Sequence, residues 1–185
     1  MFSNPLTKAC EEGNLDRIKS LIEGSNYKVE SLGLPLIYAS KKGHLEVVNY
    51  LISVGADKEA KSNGENTPLM YASYHGHLEV VEYLISVGAN KEAKNNDGST
   101  PLILASQKGH LEVVKYLISV GADKEAKNKN GSTPLILASY HGHLEVVKYL
   151  ISIGADKEAK DKNGKTALDI ARFSVKKYFL GEKTE

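Results

Sequence analysis

Apolar positions between Ser99 and Lys127 fall into two helical beats separated by a glycine. The stretch reads S-T-P-L-I-L-A-S-Q-K-G-H-L-E-V-V-K-Y-L-I-S-V-G-A-D-K-E-A-K. Leu102, Leu104 and Ala105 form the first beat, a short helix. Thr100 is suited to cap it, because its hydroxyl accepts an otherwise unpaired N–H, and Pro101 fits the first helical position. Gly109 ends it where a positive φ is inexpensive. Leu111, Val114, Leu117 and Ile118 form the second beat, with Glu112 and Lys115 on the opposite face, which predicts a helix from about His110 to Ser119. Gly121 closes that helix. Asn95–Ser99 and Asn128–Ser132 are runs of turn residues that tolerate left-handed backbone. The predicted unit is therefore helix, tight turn, antiparallel helix and an extended β-turn finger.

The unit recurs. The tag G-H-L-E-V-V begins at Gly43, Gly76, Gly109 and Gly142, a step of 33 residues each time. A fixed step of this length marks a stacked repeat array, in which each unit buries its apolar face against its neighbours. Expected boundaries are an N-terminal capping repeat at 1–27, repeats at 28–60, 61–93, 94–126 and 127–159, and a C-terminal cap at 160–185, forming one domain over 1–185. Asp16, Arg17, Lys19 and Glu23 make the first repeat more polar, as a water-facing end requires. In the second repeat Leu34-Pro35-Leu36 replaces T-P-L, and Leu32 stands where Gly98 and Gly131 stand later, so its finger is expected to be irregular. In the third, Gly64 comes one place early and Glu65 takes the usual glycine slot. The cap reads K-T-A-L-D-I-A-R and continues into Phe173–Glu185, with Arg172, Lys176, Lys177 and Glu182 exposed.

The pattern G-x-T-P-L-x-x-A-x-x-G-H-x-x-V-V-x-x-L-x-x-x-G-A resembles the ankyrin repeat, over almost the whole chain. The resemblance implies an all-α, ankyrin-repeat solenoid whose fingers and first helices line a concave face. It implies non-enzymatic protein binding through that groove and the finger tips. A structural spacer or self-associating scaffold is the alternative. Many members read T-P-L-H; here Ile37, Met70, Ile103, Ile136 and Asp169 hold the histidine position, which predicts more apolar stacking in four of the five.

Comparison of Asn95–Lys127 with Asn128–Lys160 locates candidate contact residues. The copies differ at five places: Asn96/Lys129, Asp97/Asn130, Gln107/Tyr140, Lys108/His141 and Val120/Ile153. All but the last pair fall on the finger tip or the end of the first helix, while Glu112/Glu145 and Lys115/Lys148 on the solvated side do not vary. Aligning first-helix ends gives a stripe: Glu11-Glu12, Lys41-Lys42, Tyr74-His75, Gln107-Lys108, Tyr140-His141, Phe173-Ser174. Partner-binding candidates are Lys41, Lys42, Tyr74, His75, Asn96, Asp97, Gln107, Lys108, Lys129, Asn130, Tyr140 and His141, with Tyr74 and Tyr140 as anchors, since tyrosine gives large contact area at low entropic cost. The expected partner is a protein with apolar pockets and acidic groups opposite Lys41, Lys42 and Lys108.

Composition narrows the rest. A net charge of +1 gives no bulk attraction to nucleic acid or an acidic membrane. The lysine row Lys61, Lys94, Lys127, Lys160 could follow a phosphate backbone, but Glu59, Glu92, Glu125 and Glu158 beside it cancel the charge. No partner nucleic acid or membrane is expected, nor a cofactor. The single cysteine, Cys10, aligns with Ser40, Ser73 and Ser106 and reads as a buried small residue in a reducing compartment, cytoplasmic or nuclear. His44, His77, His110 and His143 recur in the G-H-L frame and are assigned to the turn. His75 and His141 add H-x-H pairs, too few ligands for a metal, although groove histidines could make binding pH-sensitive. No nucleophile–base pair departs from the repeat register. The polar ends favour a complete chain, and a monomer is expected.

Overall fold

The computed structural model describes residues 4–24 and 27–181; Glu182 lies outside the described residues. The chain divides into two compact units, Met1–Asn90 and Lys91–Glu185. No strand occurs among the described residues.

In the first unit α1 (Pro5–Glu12), α3 (Gly33–Lys42) and α5 (Pro68–His75) are first helices. Each is followed by a second helix: α2 (Leu15–Gly24), α4 (Leu45–Ser53) and α6 (Leu78–Ser86). In the second unit the pairs are α7 (Pro101–Lys108) with α8 (Leu111–Ser119), α9 (Pro134–His141) with α10 (Leu144–Ser152), and α11 (Ala167–Ile170) with α12 (Phe173–Phe179). First helices pack on first helices within each unit. The core of the first unit is a seam of Leu6, Leu36 and Leu69 with Val48 and Val81 beneath the second helices, and that of the second unit is Leu102 and Leu135 with Val114 and Val147, all buried. Ile37, Met70, Ile103 and Ile136 are buried as well, so the missing family histidine is replaced by apolar packing. One detail departs from the periodicity. Val113 is buried, whereas Leu111 and Ile118 are only half-buried. The second helix therefore turns the V-V pair inward.

Capping follows the sequence closely. Thr67, Thr100 and Thr133 each accept the N–H three residues on, at 3.3 Å. Asn4 caps α1 by accepting instead from the N–H two residues on, Leu6 N at 3.0 Å. At the other end Gly43, Gly76, Gly109 and Gly142 have φ between 77° and 82°, and the following histidine N–H reaches back to the alanine carbonyl, as in His44 N to Ala39 O at 3.1 Å.

The frame histidine does more than turn the chain. His44 Nε2 donates to the Glu11 carbonyl at 3.0 Å, His77 to Lys41 at 3.0 Å and His143 to Gln107 at 2.9 Å. Each acceptor is the penultimate residue of a first helix in the preceding repeat, where the carbonyls have no intrahelical partner. The ring lies on the preceding repeat's glycine. A Cβ on Gly43 would come 2.5 Å from the His77 ring, and one on Gly109 2.5 Å from His143. In the cap Arg172 replaces the histidine, donating from Nε to the Tyr140 carbonyl at 3.3 Å and resting on Gly142.

The fingers are a second tie. Asn95 and Asn128 accept two backbone N–H groups each across their own turn, at 2.9–3.0 Å. Neighbouring tips are joined by Lys129 N to Asp97 O at 2.8 Å and Lys162 N to Asn130 O at 2.9 Å. The recurring glutamates reach across repeats: Glu59 accepts from Asn90 N at 2.8 Å, and Glu92 and Glu125 from Asp123 N and Asp156 N at 2.9 Å. In the third finger Glu65 occupies the glycine slot at φ 60°, with Lys61 bonded to its carboxylate at 2.6 Å. The second finger is absent. Val29 stands at the turn-acceptor position, Leu32 at the glycine position and Leu34 at the threonine position. Without side-chain acceptor or left-handed residue, Val29–Leu32 closes as a 3-10 turn, and α3 starts at Gly33 with no side-chain cap.

The cap departs from the stripe expected at its end. α11 stops at Ile170, Ala171 and Arg172 are extended, and Phe173 opens α12. Phe173-Ser174 is thus the start of a second helix rather than the end of a first. Val175 stands where the repeat register would place the left-handed glycine that ends the other first helices, so the chain turns early. Thr166 and Asp169 cap each other reciprocally, using the residue that stands in the family histidine position.

Two stability outcomes follow. Gly109→Ala should destabilise the protein by ~2 kcal/mol or more, because left-handed backbone costs an L-residue ~1–2 kcal/mol and the methyl must also displace the His143 ring. In a His143→Ala background the same change should cost only about 1 kcal/mol; urea unfolding of the four proteins measures the coupling. The Oγ atoms of Ser40, Ser73, Ser106 and Ser139 are buried without a hydrogen-bond partner. Ser106→Ala is therefore expected to raise stability by about 1 kcal/mol, the desolvation of a lone hydroxyl, and a lowered unfolding midpoint would contradict it.

Candidate functional site

In the second unit the candidate residues sit on two kinds of support. Gln107 and Lys108 end α7, and Tyr140 and His141 end α9. Asn96, Asp97, Lys129 and Asn130 are exposed at finger tips, where the Lys129–Asp97 backbone bond fixes one tip against the next. Tyr140 is 53% exposed, and its ring meets His141 edge-on with centroids 5.0 Å apart. The His141 and His143 rings stack at 6.1 Å. The clasp uses only the carbonyls of Gln107 and Tyr140, so their side chains are available to vary.

The first unit repeats the arrangement. Tyr74, half-buried, meets the exposed His75 edge-on at 5.0 Å, and His75 stacks on His77 at 6.1 Å. Lys42 pairs with Glu11 of the preceding repeat at 3.6 Å. Lys41 lines a cleft of about 670 Å³ with Leu34, Ile37, Tyr38, Lys61 and Tyr71. First helices and a finger therefore share one face in this unit, as the repeat resemblance implied. Leu34, Tyr38 and Tyr71 are site-lining residues that the stripe of helix ends passed over. A signal existed: the regular repeats carry Leu104 and Leu137 where this unit carries Tyr38 and Tyr71.

Charge and chemistry are uneven across these features. His141 is held below the ordinary histidine range, first by burial and then by the positive charges of His143, Lys108 and Arg172. Burial pushes the Cys10 thiol up to about 12, which leaves little thiolate at neutral pH. No group of three or more His, Cys, Asp or Glu side chains able to hold a metal ion occurs among the described residues. No helix among them is long and apolar enough to cross a membrane.

The geometry of caps, clasps and fingers agrees with comparison to known proteins. A family profile described as ankyrin repeats, in three copies, matches residues 2–62, 55–128 and 120–180. The chain belongs to the ankyrin repeat family. It is an all-α ankyrin-repeat solenoid, and ankyrin repeats are generally protein–protein interaction modules, typically non-enzymatic. Among curated proteins, alpha-latrotoxin-Lh1a of Latrodectus hasselti is 46% identical over 54 residues, which is 28% of this chain and 4% of that protein. The matched stretch is thus a small part of the toxin.

The environment of His141 sets a pH dependence. Its folded value lies below the ordinary 6.5, so below that pH the unfolded chain binds the proton more readily. Its contribution to stability is present above the unfolded value and is lost as pH falls through the folded one. Thermal midpoints measured from neutral to mildly acid pH should therefore fall more steeply for wild type than for His141→Gln. Parallel curves would remove His141 as the cause.

Proposed function

We propose that this ankyrin repeat protein is a non-catalytic binding module. In each unit it recognises a partner protein through the face that first-helix ends and finger tips share. Tyr74 and Tyr140 are the main anchors, and Lys41, Lys42, His75, Gln107, Lys108, His141 and the tip residues Asn96, Asp97, Lys129 and Asn130 surround them. One observation carries this reading. Between two otherwise near-identical repeats, the changes of chemical character fall at Gln107/Tyr140, Lys108/His141 and the finger tips, outside the clasp and the seam. Each clasp takes the backbone carbonyl and leaves the side chain to the solvent side, so variation there alters recognition without altering the scaffold. Exposed tyrosine beside histidine and lysine suits a partner surface with apolar pockets and carboxylates.

Truncating either tyrosine to alanine should weaken binding by at least ~1–2 kcal/mol, the range of interface anchors. The measurement is capture from lysate of the source organism with wild type and with a variant changing Tyr74, His75, Tyr140 and His141 to alanine, both first shown to be equally folded. A protein held by wild type and lost by the variant supports the face; identical captures would favour a spacer role, in which repeats chiefly set length.

A further inference from the structure

The cap enters its second helix differently from the regular repeats. There the entry is His-Leu-Glu, as at His143, Leu144 and Glu145 before and into α10. In the cap it is Arg172, Phe173 and Ser174. The two sets stand in the same place: Arg172 rests on Gly142 and takes the Tyr140 carbonyl, as His143 rests on Gly109 and takes that of Gln107. The clasp explains arginine in place of histidine. It explains neither of the other two exchanges.

The leucine of the regular entry is half-buried at Leu111 and Leu144, whereas Phe173 is 75% exposed. A ring so placed contributes little to the core. The third exchange removes a carboxylate. Glu112 and Glu145 each pair with the lysine three residues on, at 2.9 Å. In the cap that lysine is Lys177, and the glutamate's place is taken by Ser174. Lys177 Nζ lies instead over the Phe173 ring, 4.9 Å from its centre. No carboxylate stands in the chain between Asp169 and Glu182, and Asp169 is engaged with Thr166. Arg172, Lys176 and Lys177 have no ion-pair partner among the described residues. The charges acting on the adjoining His141 are of the same sign, from His143, Lys108 and Arg172. An exposed ring among uncompensated cations suits an apolar side chain flanked by carboxylates.

We infer that the entry to the cap's second helix is a docking corner for an acidic segment of a partner protein, which lays an apolar side chain on Phe173 and sets carboxylates on Arg172 and Lys177. Three cations around one ring are too compact a group to follow a phosphate backbone, which calls for a long row of them. The inference rests on the reading of the chain as a protein-binding module. It adds to the face of first-helix ends and finger tips a corner built on a second helix.

The test is selection of short random displayed peptides on the full chain, followed by affinity measurement with the enriched peptides at low and high salt. Three variants are compared. Arg172→His with Phe173→Leu and Ser174→Glu rebuilds an entry that the chain already folds elsewhere. Phe173→Ala removes the ring alone. Tyr74→Ala with His75→Ala alters only the first unit. Helical circular dichroism and the unfolding midpoint establish that each is folded. The expected result is a set of peptides rich in Asp or Glu around an apolar residue. Affinity should fall about tenfold or more in the rebuilt and Phe173→Ala proteins, as for loss of a central anchor. It should weaken as salt is raised and change little in the Tyr74 and His75 variant. Neutral or basic peptides, peptides indifferent to the rebuilt entry, or no enrichment at all would overturn the inference. So would binding of oligothymidylate or of phosphatidylserine vesicles, tighter than any peptide and abolished by the rebuilt entry, which would assign the corner to phosphates. Loss of binding confined to the Tyr74 and His75 variant would overturn this corner while leaving the proposed function standing.

Discussion

The fold depends on what becomes of the carbonyls at the end of each first helix. Four are left without intrahelical partners, and an eight-residue helix has few bonds to spare. Within each unit the next repeat supplies a donor, the histidine of the G-H-L frame, which reaches the penultimate carbonyl across a glycine. The glycine is required twice over. Its backbone is left-handed, and the space its Cβ would occupy is filled by the ring. Helix termination, turn and contact between repeats are therefore a single structure. Arg172 performing the same task at the last repeat shows that the demand is for a donor of the right reach, not for imidazole as such.

This clasp separates stability from recognition. It engages main-chain atoms of Lys41, Gln107 and Tyr140 and is indifferent to their side chains. Lysine, glutamine and tyrosine can alternate there while the scaffold stays the same. Buried positions show the opposite behaviour: the leucine and valine seam hardly changes from repeat to repeat.

The finger is a more fragile device, because it needs several residue types at once: a turn acceptor such as Asn95 or Asn128, a residue able to take left-handed backbone, and a threonine cap. The third repeat loses the glycine and still forms its finger, with Glu65 left-handed and tied to Lys61. The second loses all three and forms none. Partial loss is absorbed as left-handed backbone at Glu65, while complete loss replaces the finger by a 3-10 turn. The recurring glutamates, which by charge alone only offset the lysine row, turn out to bond the next repeat's backbone.

The period, the helix limits, the threonine and glycine caps, the buried isoleucine and methionine positions and the irregular second finger were all legible in the sequence, because each is set by contacts a few residues apart that recur in register. The tertiary structure alone decided the rest. Whether His77 serves its own turn or the previous helix depends on a partner 36 residues away. Phe173 opens a helix rather than ending one because Val175, not glycine, stands where the turn would fall. Tyr38 and Tyr71 gain significance only when the fold brings them to one cleft with Leu34 and Lys41. Local propensity fixes each repeat's internal form, but what a side chain faces is fixed by the neighbour stacked upon it.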